Sequence, residues 1–458
     1  MPYFFSSHKA RNGQAVLLVT LALIPMVGIV GLVTDVGYMN YLRNSAQAAA
    51  DSAALAASYR LNKTISGSTF TCDSYNWICK NQWSCPSNIT SATNPPETAC
   101  LYARQNGFSG YDAKTNPNQN VTITSDVTPT IPTAPGVGGV GYWITVRVSQ
   151  TVPQLFSAIL GNTTGVVSAR ATAALHPGLG CVYALDPIAS GSFSQNGGTN
   201  FTSACGIYVD SSDPQAMLGV GGAVLKASTI NDVGNYSWQG TIDPTPNTGI
   251  SPFPDPLSYL QAPSPCSATT GCDSADCSAH PKLVTVSSDT TLLPGTYCGG
   301  IKIKSGTATF SAGNYIIVGG GISTQDTNSH VRGSGAMFYN TYNSSNTYTA
   351  DQFNANSDVQ LSAPTSGTYA GVLFMQDRGC CTSSMPIESF QGGATSFYEG
   401  ILYFPRSLVQ FAGNPSLDMA HYTIIISRRF SVQGSSTMNN DYSNLVGGNP
   451  IKQVGLVE

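Results

Sequence analysis

The pattern of apolar and polar residues sets the first part of the chain apart from the rest. Residues 15–33 form a run of 19 residues without a charge, preceded by His8, Lys9 and Arg11. A helix of this length spans about 28 Å, close to the thickness of the hydrocarbon core of a bilayer. Cations before an apolar run favour a cytoplasmic N-terminus. The pattern predicts a basic cytoplasmic tip at residues 1–14 and one transmembrane helix at residues 15–34.

A cleaved secretory signal is the alternative interpretation of this run. Signal cores usually hold about 7–15 apolar residues before an A-x-A-like cleavage site. Here the run is longer and no such site follows it. Pro25 lies in the middle of the run, where a proline kinks a membrane helix rather than ending it. We therefore favour a retained anchor.

The helix is expected to continue beyond the membrane as a stalk. Residues 35–61 are rich in alanine, the strongest helix former, and contain no proline. Alanines at i, i+4 spacing form two rows of small side chains, which let another backbone approach closely. The rows are Ala46, Ala50 and Ala54, and Ala49, Ala53 and Ala57. They favour packing of the stalk on its own domain, with self-association of several copies as the alternative.

Residues 62–118 are polar and irregular, and they hold four cysteines, Cys72, Cys79, Cys85 and Cys100. We expect a loop excursion without its own core, held by two disulfides in one of three connectivities. A zinc site usually requires closely spaced C-x2-C pairs, which are absent from this segment. Disulfides are therefore favoured over a metal site.

Residues 119–175 combine strand-like and helix-like patterns. Apolar and polar residues alternate over 121–127, 142–148 and 166–175, as is typical of half-buried strands. Residues 152–160 predict a short helix. With the stalk helix, these elements predict a small α+β domain.

From His176 onward, in residues 176–458, short apolar or Thr/Ser stretches alternate with glycine and asparagine. Residues 293–298 (LPGTYC) recur as residues 311–316 (SAGNYI), an offset of 18. One coil cannot bury its apolar face alone, but stacked coils can. The segment predicts a right-handed parallel β-helix-like solenoid, with an antiparallel β-sandwich as the alternative. The expected fold class is mainly β.

The other eight cysteines lie in this half of the chain: Cys181, Cys205, Cys266, Cys272, Cys277, Cys298, Cys380 and Cys381. The first two are 24 residues apart, about one coil, which suits a bridge between adjacent turns. The next four follow a proline-rich loop; disulfides are favoured there, and His280 leaves zinc as the alternative. The last two either bond to each other or pair elsewhere.

Composition and charge restrict the classes of function. Charged residues make up 10% of the 458 residues, against about 25% in ordinary soluble proteins. The net charge of −4 offers no basic surface for nucleic acid. Twelve cysteines favour an oxidising compartment, where they form disulfides.

Residues 11–58 resemble the N-terminus of the TadE/TadG-like family of tight-adherence, or Flp-type, pilus assembly. The shared features are Arg11, Gly13, Pro25, Asp35, Gly37 and Asp51 around and after the apolar run. The resemblance implies a non-enzymatic bacterial envelope protein without a cofactor. It implies a single pass through the cytoplasmic membrane, a periplasmic or cell-surface bulk, and envelope or pilus proteins as partners. Pilin-like precursors carry a glutamate five residues after the cleaved glycine, whereas Leu18 stands there, which disfavours processing into a filament subunit.

Motifs for catalysis are absent from the sequence: it contains no nucleophile elbow, zinc-protease helix, P-loop or EF-hand pattern. The nearest catalytic candidates are Asp326, His330 and Arg332, which suit a β-helix polysaccharide hydrolase or lyase. A glycan-binding adhesin is the second hypothesis. Its aromatic candidates are Tyr236, Trp238, Tyr339, Tyr342 and Tyr348. We predict a non-enzymatic surface protein without catalytic or metal residues, serving pilus assembly or adherence.

Overall fold

The structure is a computed structural model that describes residues 12–64, 72–73, 76–128, 131–132, 141–267, 271–325, 327–381, 383–393, 395–412, 419–445 and 448–457. The chain forms two compact units. The first comprises Met1–Thr64, Phe70–His176 and Gln453–Glu458, and the second Ile65–Thr69 and Pro177–Lys452. The fold is mainly β, with one long N-terminal helix.

The helices belong to the first unit. Helix α1 runs without interruption over Asn12–Thr64, so the predicted membrane segment and stalk are one helix that contains Pro25. Helix α2 covers Pro95–Gln105. A 3-10 helix covers Ser157–Leu160, whereas a helix was expected over 152–160. Residues 152–153 instead extend a strand, because Val152 pairs with Gly165.

Strands are numbered along the described chain. They are β1 Lys80–Ser84, β2 Gln119–Asp126, β3 Tyr142–Pro153, β4 Thr164–Pro177, β5 Gly180–Ala184, β6 Phe193–Gln195, β7 Asn200–Ser203, β8 Gly206–Val209, β9 Met217–Lys226, β10 Ile230–Asp232, β11 Tyr236–Asp243, β12 Asn247–Thr248, β13 Val284–Val286, β14 Thr290–Leu292, β15 Gly295–Cys298, β16 Ile301–Ile303, β17 Gly306–Phe310, β18 Gly313–Val318, β19 Ile322–Thr324, β20 Ser329–Ser334, β21 Ala336–Thr341, β22 Gln352–Phe353, β23 Asp358–Ser362, β24 Val372–Gln376, β25 Ile387–Phe390, β26 Phe397–Ala412, β27 Thr423–Gln433, β28 Ser436–Met438 and β29 Lys452–Leu456.

The first unit packs α1 and α2 against a five-stranded sheet in the order β1-β2-β3-β4-β29. Strands β1 to β4 pair antiparallel. Alternating residues of β2 and β3, among them Val121, Ile123 and Val146, are fully buried and form the core side of the sheet. The last strand, β29, returns from the far end of the sequence to lie beside β4. The prediction that all of residues 176–458 form a solenoid is therefore wrong for this strand, which belongs to the sheet of the first unit.

The described part of residues 62–118 contains β1 and α2, where a loop excursion without its own core was expected. Asn94 caps α2 by accepting a hydrogen bond from the Glu97 backbone N–H at 2.9 Å, and prolines occupy the first helical positions. Ala99, Cys100 and Ala103 bury one face of the helix. A separate core is not needed here, because these few small residues of α2 are buried against α1.

Strands of the second unit pair in parallel and form three columns. One column contains β13, β16, β19, β22, β25 and the distal half of β26. A second contains β14, β17, β20, β23 and the start of β26. The third contains β15, β18, β21, β24 and the middle of β26. The named strands thus lack the antiparallel pairing that a β-sandwich requires.

The chain enters the second unit in the middle of these columns. Strands β5, β6 and β7 pair with β27 and β28 on one side and with β8 and β9 on the other. The next strands lead outward to β11 and β12 at one end. Strand β13 begins again at the opposite end. Residues 249–267 and 271–283, here called the crossing segment, therefore lie along the length of the stack.

The crossing segment is fastened to the outer face of the third column. Leu257 and Leu260 are buried there beside Tyr403. The Arg378 guanidinium donates hydrogen bonds to the carbonyl oxygens of Leu257 and Leu260, and the Tyr403 hydroxyl donates to Asp255 Oδ2 at 2.6 Å. Arg378 thus holds the crossing segment through two of its backbone carbonyl oxygens, and Tyr403 holds it through a carboxylate.

An aromatic stack runs through the interior of the columns. Neighbouring ring centroids lie 5.0–5.9 Å apart, within the range of favourable ring contacts. The rings are those of Phe193, Phe430, Phe411, Phe390, Phe374, Phe338, Tyr315 and Tyr297. One continuous core therefore joins the early strands to the late ones.

Candidate functional site

Helix α1 carries the most distinctive surface of the first unit. It is long and apolar enough to cross a membrane. Eight large apolar side chains of its first half are exposed, namely Val19, Leu21, Leu23, Met26, Ile29, Val30, Leu32 and Val33. So many exposed apolar side chains on one helix are unusual in water and typical of a segment surrounded by lipid.

The second half of α1 packs on its own unit. All six alanines of the predicted rows, Ala46, Ala49, Ala50, Ala53, Ala54 and Ala57, are fully buried. Gln47 Nε2 donates to the Arg170 carbonyl at 2.9 Å, and Asn106 Nδ2 donates to Ser52 Oγ at 2.9 Å. Both alanine rows are thus occupied within one chain, and these residues leave no free surface for a second copy.

Substitution of Ala50 by leucine is expected to lower the free energy of unfolding by about 1–3 kcal/mol, because added methylenes do not fit a closed helix contact. The matched control is Ala48→Leu, since Ala48 is exposed on the same helix. Hydrogen exchange of the α2 amides measures the effect. Unchanged α2 protection together with loss of multimers would instead favour packing between copies.

Asp35 joins α1 to the turn formed by residues 154–161. Its carboxylate accepts three backbone hydrogen bonds, from the N–H groups of Leu155 (3.2 Å), Phe156 (3.0 Å) and Ser157 (2.8 Å). One turn earlier on the helix, the Phe156 ring lies so close to Gly31 that a Cβ there would be 2.2 Å from its Cγ. The absence of a side chain at Gly31 is what allows this contact.

The twelve predicted disulfide cysteines form six bonds within the chain. The pairs are Cys72–Cys79, Cys85–Cys100, Cys181–Cys205, Cys266–Cys272, Cys277–Cys298 and Cys380–Cys381. Cys181–Cys205 links β5 to the residue before β8, which are neighbours in one column. The adjacent pair Cys380–Cys381 is bonded to itself.

The cysteines and the histidine for which a metal site was the alternative make other contacts in the structure. Cys72, Cys79 and Asp126 present ligand atoms within 4.8 Å of one another. The two sulfurs share a disulfide and cannot act as thiolate ligands in that state. The His280 ring stacks on Tyr297 with centroids 4.2 Å apart.

Two of the three enzyme candidates, His330 and Arg332, lie beside a carboxylate of the neighbouring strand that was not predicted. Arg332 on β20 contacts the Asp358 carboxylate on β23, and His330 Nδ1 lies 3.5 Å from the same carboxylate. Asp326 lies outside the described residues. The arrangement brings one carboxylate to a histidine and an arginine, whereas glycoside hydrolysis commonly uses two carboxylates.

The aromatic candidates for glycan stacking are largely internal. Tyr339 is fully buried, and Trp238 is partly buried with its Nε1–H bonded to the Ala223 carbonyl at 3.1 Å. The Tyr348 hydroxyl donates to Glu388. Tyr236 and Tyr342 are partly buried. None of these five side chains is among the exposed residues.

A groove of about 360 Å³ was not predicted from the sequence. It is lined by Met419, Ala420, His421, Asn439, Asn440 and Asp441. His421 Nδ1 lies 2.7 Å from Glu399 Oε2, and this hydrogen bond raises the pKa of the imidazole. No sequence motif marks these residues, because they meet only when β26, β27 and β28 are stacked.

Residues 13–59 match the Tad family model, Flp pilus-assembly TadE/G-like. This confirms the resemblance seen in the N-terminal sequence. The matched residues form most of α1 and include the apolar run, Asp35 and all six alanines. They make up only about a tenth of the chain. No curated protein and no solved structure matches the chain.

Proposed function

We propose that this chain is a non-enzymatic envelope protein of pilus assembly or surface adherence, held in the cytoplasmic membrane by α1. The observation that carries the proposal is the exposed apolar half of α1 within a segment that matches the Tad family model. That family is described by pilus assembly rather than by a reaction.

The proposed orientation places the N-terminus in the cytoplasm and the chain that follows the apolar run, from residue 35 onward, outside it. Lys9 and Arg11 precede the apolar run, in agreement with the preference of cations for the cytoplasmic side. All twelve cysteines are in disulfides, which persist in oxidising compartments and are rare in the cytosol. Both arguments favour the same side of the membrane for the two units.

We also propose that the three columns of the second unit are the faces of a parallel, right-handed β-helix-like solenoid. Partner strands lie about one coil apart in sequence; for example, Thr290 pairs with Ala308, and Gly306 with Ser329. Such a stack needs few charges, because neighbouring coils satisfy its backbone groups. It would present a rigid polar surface to other envelope proteins.

Membrane fractionation of cells that produce the chain tests the anchor. We expect the protein to resist alkaline extraction, to carry no free thiols and to be digested by protease added outside the cytoplasmic membrane. A Leu23→Lys, Ile29→Lys double variant should lose membrane integration, because each lysine at the centre of a span costs about 2.5–3.5 kcal/mol. The matched control is Leu23→Ala, Ile29→Ala.

Two results would contradict this proposal. One is an extractable wild-type protein with reduced cysteines. The other is a mature N-terminus at Gln14 in sheared surface material, which would indicate a processed filament subunit.

A further inference from the structure

We propose that the turn of residues 154–161 inserts into the outer interface of the same bilayer that α1 crosses, as a second, non-helical membrane contact. This inference rests on the proposed membrane anchor. The ligand is the lipid surface itself, and the residue that would enter it furthest is Leu155, whose side chain is 73% exposed.

The level of the turn follows from its contacts with α1. Phe156 packs on Gly31, which lies two residues before the end of the apolar run and thus about 3 Å inside it. Asp35, which binds the turn, lies two residues after the end of the run. Because the turn touches α1 at both positions, it must sit where the apolar run meets the polar headgroups.

Hydrogen bonding makes the turn compatible with that depth. Backbone N–H groups that enter a bilayer without a partner cost several kcal/mol each, which normally keeps irregular backbone out of lipid. Here three consecutive N–H groups, those of residues 155–157, end on the Asp35 carboxylate. The carboxylate is itself buried by the same contact. Turn and carboxylate thus hide each other's polar atoms.

Other exposed apolar and aromatic side chains lie on the segments next to this turn. Tyr38 and Tyr41 on α1 are exposed, one and two turns beyond the apolar run, where tyrosines commonly anchor membrane helices. Val166 is exposed on β4, beside Gly165, whose neighbours are Gln154 and Met39. A single exposed apolar residue is ordinary on a protein surface. Here Tyr38, Tyr41 and Val166 lie on segments that are at, or next to, positions of α1 within eight residues of the end of the apolar run.

Fluorescence quenching in proteoliposomes tests the depth of the turn. The full-length Leu155→Trp variant is reconstituted into phosphatidylcholine vesicles with lipids brominated near the carbonyl end of the acyl chains, and wild-type emission is subtracted. We expect the added tryptophan to be blue-shifted and quenched by more than half, as for a residue at the interface. Adding Asp35→Ala to this variant should remove most of the quenching, because the turn loses its three hydrogen bonds.

The matched control is Tyr102→Trp on α2. Asn106, at the end of that helix, bonds to Ser52, which lies about 26 Å beyond Asp35 along α1. The emission of the tryptophan added at position 102 should therefore be unquenched. Vesicles whose protein resists alkaline extraction while the Leu155→Trp emission stays unquenched would overturn the proposed insertion and leave the anchor standing. Protein removed by alkaline extraction would overturn both.

Discussion

Replacement of Asp186 by alanine is expected to lower the free energy of unfolding of the second unit by about 2–3 kcal/mol, because it leaves two guanidinium groups without their counter-ion. The side chain is 1% exposed, and Oδ2 accepts hydrogen bonds from Arg428 Nε at 3.0 Å and Arg429 Nε at 2.9 Å. The arginines are 41% and 34% exposed, so water compensates part of the loss. The contact fastens the second residue after β5 to β27, at the junction between the early and late strands.

Urea unfolding of the full chain measures this effect. The matched control is Asp289→Ala, an exposed aspartate that accepts a hydrogen bond from the Thr307 backbone N–H in the same unit. Burial raises the pKa of Asp186, but hydrogen bonds from Arg429, Ile188 and Arg428 outweigh this and hold it below the ordinary 3.8. Its contribution should therefore be complete above about pH 4 and disappear as the pH falls below it. Equal losses for Asp186→Ala and Asp289→Ala would contradict the prediction.

A second large effect is expected at the buried carboxyl pair of Asp351 and Glu388. Glu388 accepts hydrogen bonds from the Tyr348 hydroxyl (2.7 Å), the Ser407 hydroxyl (2.7 Å) and the Asp351 backbone N–H (2.6 Å). Asp351 Oδ1 accepts from the Ile322 N–H at 2.7 Å, while its Oδ2 is buried without a hydrogen bond in the described structure. Three donors favour the ionised form of Glu388, so Glu388 loses its proton first and the last proton of the pair belongs on Asp351.

Stability should consequently fall as the pH rises from about 4 to 7. Burial raises the pKa of Glu388 from 4.5 to about 7, and burial with the charge of Glu388 raises that of Asp351 well above 3.8. The unfolded chain releases both protons near pH 4, whereas the folded chain retains them to higher pH, which favours unfolding over that window.

Asp351→Asn should flatten this pH dependence, because the amide reproduces the neutral acid and retains an acceptor for Ile322. Thermal unfolding between pH 5 and 8 measures this effect. At pH 8 we expect the unfolding midpoint of the variant to lie about 3 °C or more above that of the wild type. Glu388→Gln is the contrasting variant. It should destabilise at every pH in that range, by about 1–3 kcal/mol, since three donors then face one acceptor. Parallel pH curves for Asp351→Asn and wild type would disprove the assignment of the proton.

Local sequence pattern predicted the elements that depend on nearby residues. The uncharged run and the alanine rows predicted α1, and the 18-residue repeat predicted strands around Tyr297 and Tyr315. The repeat also came close to the register. Thr290 pairs with Ala308 at that offset, while Tyr315 pairs with Gly295 at an offset of 20. A slip of two residues keeps each side chain on the same face, so both tyrosines still reach the core.

Features that depend on residues far apart in the chain could not be predicted from the sequence. Nothing in residues 452–456 shows that they complete a sheet whose other strands end at Pro177. The order of the columns was equally hidden, because parallel pairing of β5 with β27 leaves no local signal. Buried groups such as Asp186 and Glu388 looked like ordinary surface acids, since their partners are supplied by other coils.

The entry of the chain into the middle of its own stack has a consequence for biosynthesis. Strand β5 is made early, but its neighbour β27 emerges about 240 residues later, which takes on the order of 12–50 s at usual elongation rates. Until then one edge of β5 offers unpaired backbone groups, a template for misassociation. The pairing of β5 with β27 can therefore form only when nearly all of the chain has been made.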